Sequence, residues 1–306
     1  MRIDEILARP EPCFSVEFFP PKTEEGRATL FETVEVLGEL DPAYFSVTYG
    51  AGGTTREGTV ETARTIRDGY GVEAMAHLSC VGETVDGLRG FLDTVSEAGI
   101  GNVLALRGDP PAGEGAFEPH PEGLASAAEL AALIGREYPQ MAIGASSHPE
   151  VHPEAADLDA DLAYLKTKVG AGASFLITQL FFDNRDYFAF VTAARAAGIE
   201  VPIIAGLMPI TSYEQIVRFC KICQATIPAP LAAAMEALGG DKTAEFELGV
   251  AWAAAQSAEL MRGGAPGIHF YALNRYPATR AVLSMLRATR PWKQAEALNQ
   301  AAAPAS

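Results

Sequence analysis

The stretch EAMAHLSCVGETVDGLRGFLDTVSEAGIGNVLALRG, residues 73–108, decides the fold. It opens and closes on dense apolar runs, EAMAHLSC (73–80) and NVLALRG (102–108). Runs this short and continuous fit strands covered on both faces, as in a parallel sheet, better than strands with one wet side. Between them Val85, Leu88, Leu92 and Val95 recur at steps of three and four. That spacing puts them on one face of a helix over 84–98, and Gly99 supplies its stop. The stretch reads as one strand–helix–strand unit.

The same alternation extends in both directions. Further apolar runs are CFSVEFF (13–19), YFSVTYG (44–50), MAIGASS (141–147), SFLITQLFF (174–182), VPIIAGLM (201–208) and GIHFYALN (267–274). Helical stripes lie between them: Leu30, Val34 and Leu37 within 24–40, and Phe246, Val250, Ala254 and Met261 within 243–261. The Ala-rich stretches 123–134 and 251–258 have high intrinsic helix propensity. Strand starts recur roughly every 30 residues, the length of one strand–helix–strand unit. Eight strands alternating with helices predict an α/β chain closed into a single (β/α)8 TIM-type barrel. A doubly wound open sheet is the alternative, but no G-x-G-x-x-G opens a helix after the first strand. Roughly 50 residues with extra helical pattern separate the seventh and eighth strands, which predicts a helical insertion of the kind barrels accept. No composition shift marks a second domain, so 1–306 is read as one barrel domain with tails at about 1–12 and 293–306.

Of the 306 residues, 48% are hydrophobic and 20% charged, which excludes a disordered chain. The formal net charge of −16 argues against a nucleic-acid partner, which needs a basic face. An anionic ligand must instead be held by a few local Lys, Arg or backbone N–H groups. The apolar runs stop well short of the roughly 20 residues of a membrane span, and MRIDEILARPEP is not read as a signal peptide. Cys13, Cys80, Cys220 and Cys223 point to reduced thiols and a cytoplasmic location. Cys220 and Cys223 form a C-x-x-C inside the helix-like segment Tyr213–Cys223. Alone, the pair supplies half of a four-ligand zinc site, so ordinary buried thiols are expected and no metal.

Barrel sites gather at the carboxyl ends of the strands. There this chain has Glu17, Thr48–Tyr49, His77, Arg107–Gly108–Asp109, His148 to His152, Gln179, Asp183 and Asn274–Arg275. Glu17 interrupts an apolar, aromatic run and precedes Pro20-Pro21. A carboxyl among aromatic rings is costly to ionise, so its pKa is expected to rise and it could act as a general acid; a strand-end Glu satisfied by an Arg is the plainer alternative. The Gly-rich segment from Tyr49 to Thr55 could cradle a phosphate with its N–H groups, although without a P-loop Lys a plain turn fits equally. His148 and His152 have H-E-x-x-H spacing, but Pro149 and Pro153 forbid the helix that would align them on a metal. A ligand-facing loop or a Pro-rich turn is read instead. Asp161, Lys166 and Lys168 fall on the following helix, either as a solvated face or as a phosphate-attracting one.

Taken in order, several blocks resemble one known family. They are Glu17-Phe18-Phe19-Pro20-Pro21, Ser46-Val47-Thr48-Tyr49-Gly50, His77-Leu78-Ser79-Cys80, Ala105-Leu106-Arg107-Gly108-Asp109, Pro149-Glu150-Val151-His152-Pro153-Glu154-Ala155, Ile177-Thr178-Gln179-Leu180-Phe181-Phe182-Asp183 and His269-Phe270-Tyr271-Ala272-Leu273-Asn274-Arg275. The family is methylenetetrahydrofolate reductase, and in length the chain resembles its short bacterial form. The resemblance implies an FAD-containing barrel that reduces 5,10-methylenetetrahydrofolate to 5-methyltetrahydrofolate with NADH or NADPH. Hydride passes first to the flavin and then, once the nicotinamide has left, to the folate. It also implies a homo-oligomer. Two other readings stand beside it: a flavin- or folate-binding subunit active only with an electron-transfer partner protein, and a barrel methyltransferase using the same folate.

By position, the resemblance makes Glu17 the acid that protonates the folate and opens its five-membered ring to an iminium. It makes Asp109 the aspartate that holds the pterin and supports the developing cation. Thr48, Gln179, Gln215, Phe219 and Arg275 match positions that contact folate or nicotinamide. Tyr49, Ala51, His77, Arg107, Gly108, Asp109, His148, His152, Ala155, Asp161, Tyr164 and Lys168 match positions around FAD. The chain departs from the family pattern at His148, where Tyr is better known, at Tyr164, Thr167 and at Ser126 or Ala127. All four departures are assigned to the outer, phosphate and adenosine side of the cofactor site.

Overall fold

A computed structural model describes residues 1–49, 56–108 and 118–293. Its eight strands are β1 (Cys13–Phe18), β2 (Tyr44–Val47), β3 (Ala74–Ser79), β4 (Asn102–Leu106), β5 (Ala142–Ser147), β6 (Phe175–Thr178), β7 (Ile203–Leu207) and β8 (Gly267–Tyr271). Each pairs in parallel with the next, and β8 returns to β1, closing the barrel. The predicted (β/α)8 architecture is therefore the observed one.

Helices alternate with these strands: α2 (Glu24–Gly38), α3 (Arg56–Tyr70), α4 (Val85–Glu97), α5 (Ala127–Glu137), α6 (Leu158–Gly170) and α7 (Asn184–Ala196). The stretch between β7 and β8 carries α8 (Tyr213–Cys223), α9 (Ala229–Ala237) and α10 (Lys242–Arg262), as the long spacing predicted, and α11 (Pro277–Thr289) follows β8. Side-chain caps set several starts. Thr84 accepts from Gly87 N, Asp157 from Ala160 N and Ser212 from Gln215 N. The Ala-rich stretch from 123 becomes helical only at Ala127, because Ser126 caps Glu129 N there. The apolar run 174–182 yields strand only to Thr178. Beyond it the Gln179 side chain accepts from Leu180 N and turns the chain, and Phe181 and Phe182 bury outside the barrel.

Alternate strand residues divide the core in two. Outward residues such as Phe14, Val16 and Phe18 pack against the helices. Inward residues, among them Tyr44, Met75, Leu104, Phe175 and Ile204, fill the lower barrel. Residues 1–12, expected to be a tail, hold α1 (Ile3–Leu7), whose Ile3 and Ile6 join that inner cluster from below. Asn102 at the start of β4 fixes α1 by accepting from Ile3 N at 2.8 Å and donating to Met1 O at 3.1 Å. A third cluster unites α8, α9 and α10 around Ile216, Leu231 and Met235. Among the described residues no helix is long and apolar enough to cross a membrane.

Candidate active site

The upper barrel is polar where the lower is apolar. Glu17 and Ser15 on β1, Ser46 on β2, His77 on β3 and His269 on β8 converge on the axis, and the last four are buried. Ladder register explains the meeting: Ser15 lies opposite His269, and Glu17 lies opposite Ser46. The Glu17 carboxylate stands 3.5 Å from His269 Nε2 and 3.6 Å from His77 Nε2. His269 Nδ1 is hydrogen-bonded to Ser15 Oγ at 2.8 Å. A serine hydroxyl can donate or accept. Ser15 can therefore pair with either imidazole tautomer of His269.

This arrangement reverses the expected direction of the Glu17 pKa. Burial pushes the carboxyl up, as expected, but the His269 hydrogen bond and the charges of His77 and His269 outweigh it and leave the group below its ordinary value. The aromatic neighbour Phe18 points outward, so the carboxyl meets imidazoles and not rings of carbon. His77 itself is pushed down to about 4 by burial.

Above Glu17 opens a cavity of about 430 Å³. Its walls include His77, Arg107, Gly108, His148, His152, Gln179 and Phe219, all singled out in the sequence. Leu104, Leu106, Ser146, Met208, Cys223 and Tyr271 also line it and were not foreseen; inward phase on the strands was the signal for most of them. Gly108 adopts φ 87°, and a Cβ there would lie 2.1 Å from Ser79 Oγ, so the floor beside Arg107 requires glycine.

A second chamber of about 430 Å³ continues past Arg107, Ser146 and His152 and is lined by Ser126, Ala155, Asp161, Tyr164 and Lys168. The buried Asp161 accepts from His152 N at 2.8 Å, fixing the loop. Lys168 Nζ is buried beneath, donating to Ser146 O at 2.6 Å, and burial pushes its pKa down to about 8. Arg107 Nη2 donates to Glu154 at 2.8 Å and its second nitrogen pairs with the other carboxylate oxygen, a forked clamp over the rim.

His148, placed by the resemblance on the outer side of the cofactor site, lines the inner cavity together with Glu17. Its ring packs edge-on against His152, 4.5 Å between centroids, and its buried Nδ1 has no hydrogen-bond partner. Burial holds His148 down at about 3, so it is uncharged at neutral pH.

The remaining sequence candidates sit around this centre. Gln215 and Phe219, one turn apart on α8, line an adjoining cavity of about 470 Å³ with Phe19 and Leu273. Thr48 and Tyr49 follow β2, Thr48 N donating to Phe18 O at 2.9 Å and Tyr49 Oη donating to Glu83 at 3.2 Å. Arg275 is exposed at the rim after β8. Asp183 caps α7 and pairs with Arg185, away from the cavity. Ala51, Asp109 and most of the Gly-rich segment lie outside the described residues. Among the described residues no group of three potential metal ligands forms.

Fold and site together define a class: a (β/α)8-barrel protein with a two-chambered site at the carboxyl ends of its strands. A sequence profile described as methylenetetrahydrofolate reductase matches residues 2–287. The 5,10-methylenetetrahydrofolate reductase of Escherichia coli is 39% identical over 272 residues, covering 89% of this chain and 90% of its own length. Methylenetetrahydrofolate reductase (NADH) 1 of Arabidopsis thaliana is 35% identical over 96% of this chain, and that of Zea mays 36% over 93%. The chain spans about half the length of these plant relatives. A protein from Clostridium thermocellum, described as binding two copies of 5-methyl-5,6,7,8-tetrahydrofolic acid, superposes with TM-score 0.62 over 94% of this chain and 98% of its own at 17% identity, a likeness of fold. The chain belongs to the methylenetetrahydrofolate reductase family, and in length it matches the bacterial members.

Proposed function

We propose that this chain reduces 5,10-methylenetetrahydrofolate to 5-methyltetrahydrofolate with electrons from NADH or NADPH, using FAD. The observation that carries the reading is the Glu17 carboxyl, held by two imidazoles at the floor of a cavity that Gln179 and Phe219 also line.

The residues present fit a flavin. His148 offers a buried Nδ1 without a partner in the inner cavity, and the outer chamber ends on the buried ammonium of Lys168. His77, Arg107, Gly108, His148 and His152 would hold the ring end; Ala155, Asp161, Tyr164 and Lys168 would hold the phosphate and adenosine end. When bound, FAD supplies the hydride relay between the two substrates, which use one site in turn.

The chain's own groups do the rest. Protonation of the folate by Glu17 Oε2 favours ring opening, and His269, 3.5 Å away, orients that carboxyl. Gln179, which lines the same cavity as Glu17, orients the pterin. Phe219 gives a flat face to either substrate. Leu104, Leu106, Ile177 and Met208 exclude water, which strengthens each polar contact above them. The reading extends to a homo-oligomeric cytoplasmic enzyme.

The test is optical. Purified protein should be yellow, bleach with NADH or NADPH under argon, and recover colour when methylenetetrahydrofolate is added. Bleaching only through a partner protein would favour the subunit reading, and a colourless protein that takes up no added flavin would end the proposal.

A further inference from the structure

The two walls of the inner cavity come from distant parts of the chain. One is the loop after β5, carrying His148 and His152; the other is α8, carrying Gln215, Phe219 and Cys223 at four-residue steps along one face. The side chain of Glu150 joins them. Thr226 N, three residues past α8, donates to both carboxylate oxygens of Glu150, at 3.1 and 3.0 Å.

The place is poor for a carboxylate on grounds of stability alone. Gln224 ends α8 in the left-handed region at φ 54°, and its N–H and that of Ala225 already return to Cys220 O. Glu150 thus lies at the negative end of the α8 dipole. Asp186 is close enough that burial first, then the charge of Glu150, pushes its carboxyl above the ordinary value. The next residue, Val151, is held at φ 71°, where a β-branched side chain is rarely found. That conformation persists because the chain is pinned on both sides, at Glu150 by Thr226 and at His152 by Asp161.

We infer that Glu150 is a positioning residue: through Thr226 it holds the α8 wall, with Gln215 and Phe219, in register with the His148–His152 loop, so that filling the loop side sets the substrate side. The inference rests on the proposed function for its kinetic readout and on the free chain for its structural one.

Three proteins decide it: the wild type, Glu150→Ala and Glu150→Gln, whose amide oxygen can still accept from Thr226. In the flavin-free chains, amide exchange over 213–226 should quicken in Glu150→Ala and stay protected in Glu150→Gln, with the rest of the barrel unchanged. Added FAD should slow exchange over 213–226 in the wild type and Glu150→Gln but not in Glu150→Ala. In turnover, Glu150→Ala should raise KM for the folate by about tenfold or more while kcat changes by less than about threefold, and Glu150→Gln should recover most of the loss. Exchange over 213–226 equal in all three proteins would overturn the inference, as would faster exchange spread evenly through the barrel. Should no chain bind FAD, the functional proposal fails while the flavin-free exchange still decides the clamp.

Discussion

Glu17 Oε2 and His269 Nε2 lie 3.5 Å apart across the seam where β1 and β8 close the barrel. Their side chains share the inward face because His269 is opposite Ser15, two residues before Glu17. The contact makes the proposed acid a pair, and its consequences can be measured.

Replacing Glu17 with Gln keeps shape and removes the titrating proton. Flavin reduction by the nicotinamide should stay within a few-fold of wild type, and the folate step should fall by about 10²–10⁴, the usual worth of a positioned acid. Anaerobic stopped-flow of each half-reaction reads this directly. Equal losses in both would remove Glu17 from the proposed role.

The pair also sets a pH dependence. In the open cavity the imidazoles hold the Glu17 carboxyl below its ordinary value, so its protonated fraction drops early as pH rises. A folate seated on Glu17 expels water, and desolvation then favours the neutral acid. The falling limb of kcat should therefore lie at higher pH than that of kcat/KM for the folate. Coincident limbs would contradict the argument.

Acid should destabilise the barrel from the inside. Burial holds His77 at about 4 and His148 at about 3. Both folded values lie below the unfolded value of about 6.5, so as pH falls through this window the unfolded chain takes up protons that the folded chain refuses. Glu17, also lowered, adds to the loss at still lower pH, as its folded value is reached. His77 alone is worth about 3 kcal/mol between roughly pH 6.5 and 4. Urea midpoints at pH 7, 5.5 and 4.5 should decline, and His77→Gln should flatten that decline.

Lys168 is the buried cation of the outer chamber, held down at about 8 by burial. Its charge is present below that value and lost above it. Affinity for FAD should weaken as pH rises through 8, and Lys168→Met should cost about 10–100-fold, the worth of one charged hydrogen bond. Flavin fluorescence titrations from neutral to alkaline pH check both; an affinity that stays flat in the wild type would place the phosphates elsewhere.

Asn274 locks the mouth beside β8. Its side chain accepts from Phe19 N at 2.8 Å and donates to Phe19 O at 2.9 Å, and it sits at φ 59° after Leu273 at φ 52°. Asn274→Ala loses both bonds and tolerates that backbone poorly, about 2 kcal/mol in all. Asn274→Gly keeps the backbone freedom and should lose less. Thermal unfolding of the two variants gives the order, and the reverse order would refute this account.

The barrel was legible because a strand buried on both faces announces itself as a dense apolar run, and residues 73–108 hold two of them around one amphipathic helix. Glu17, His77, Arg107 and Gln179 were legible as polar residues at strand ends and in matching blocks, and Phe219 only through the family resemblance; all five line the inner cavity. His269, Ser15 and Ser46 received no role, because their value depends on register between strands far apart in sequence. The same blindness misdirected the pKa of Glu17: its neighbours along the chain face the helices, while its neighbours in space are imidazoles. The contact of the His148 ring with His152 was hidden for a related reason, since the chain turns through Val151 between them.

The short helix under the barrel has one more effect. With Ile3 and Ile6 stoppering the lower end, the described residues form a blind well. A molecule that reaches Glu17 therefore comes and goes through the upper opening, and under the proposed function nicotinamide and folate would take turns there.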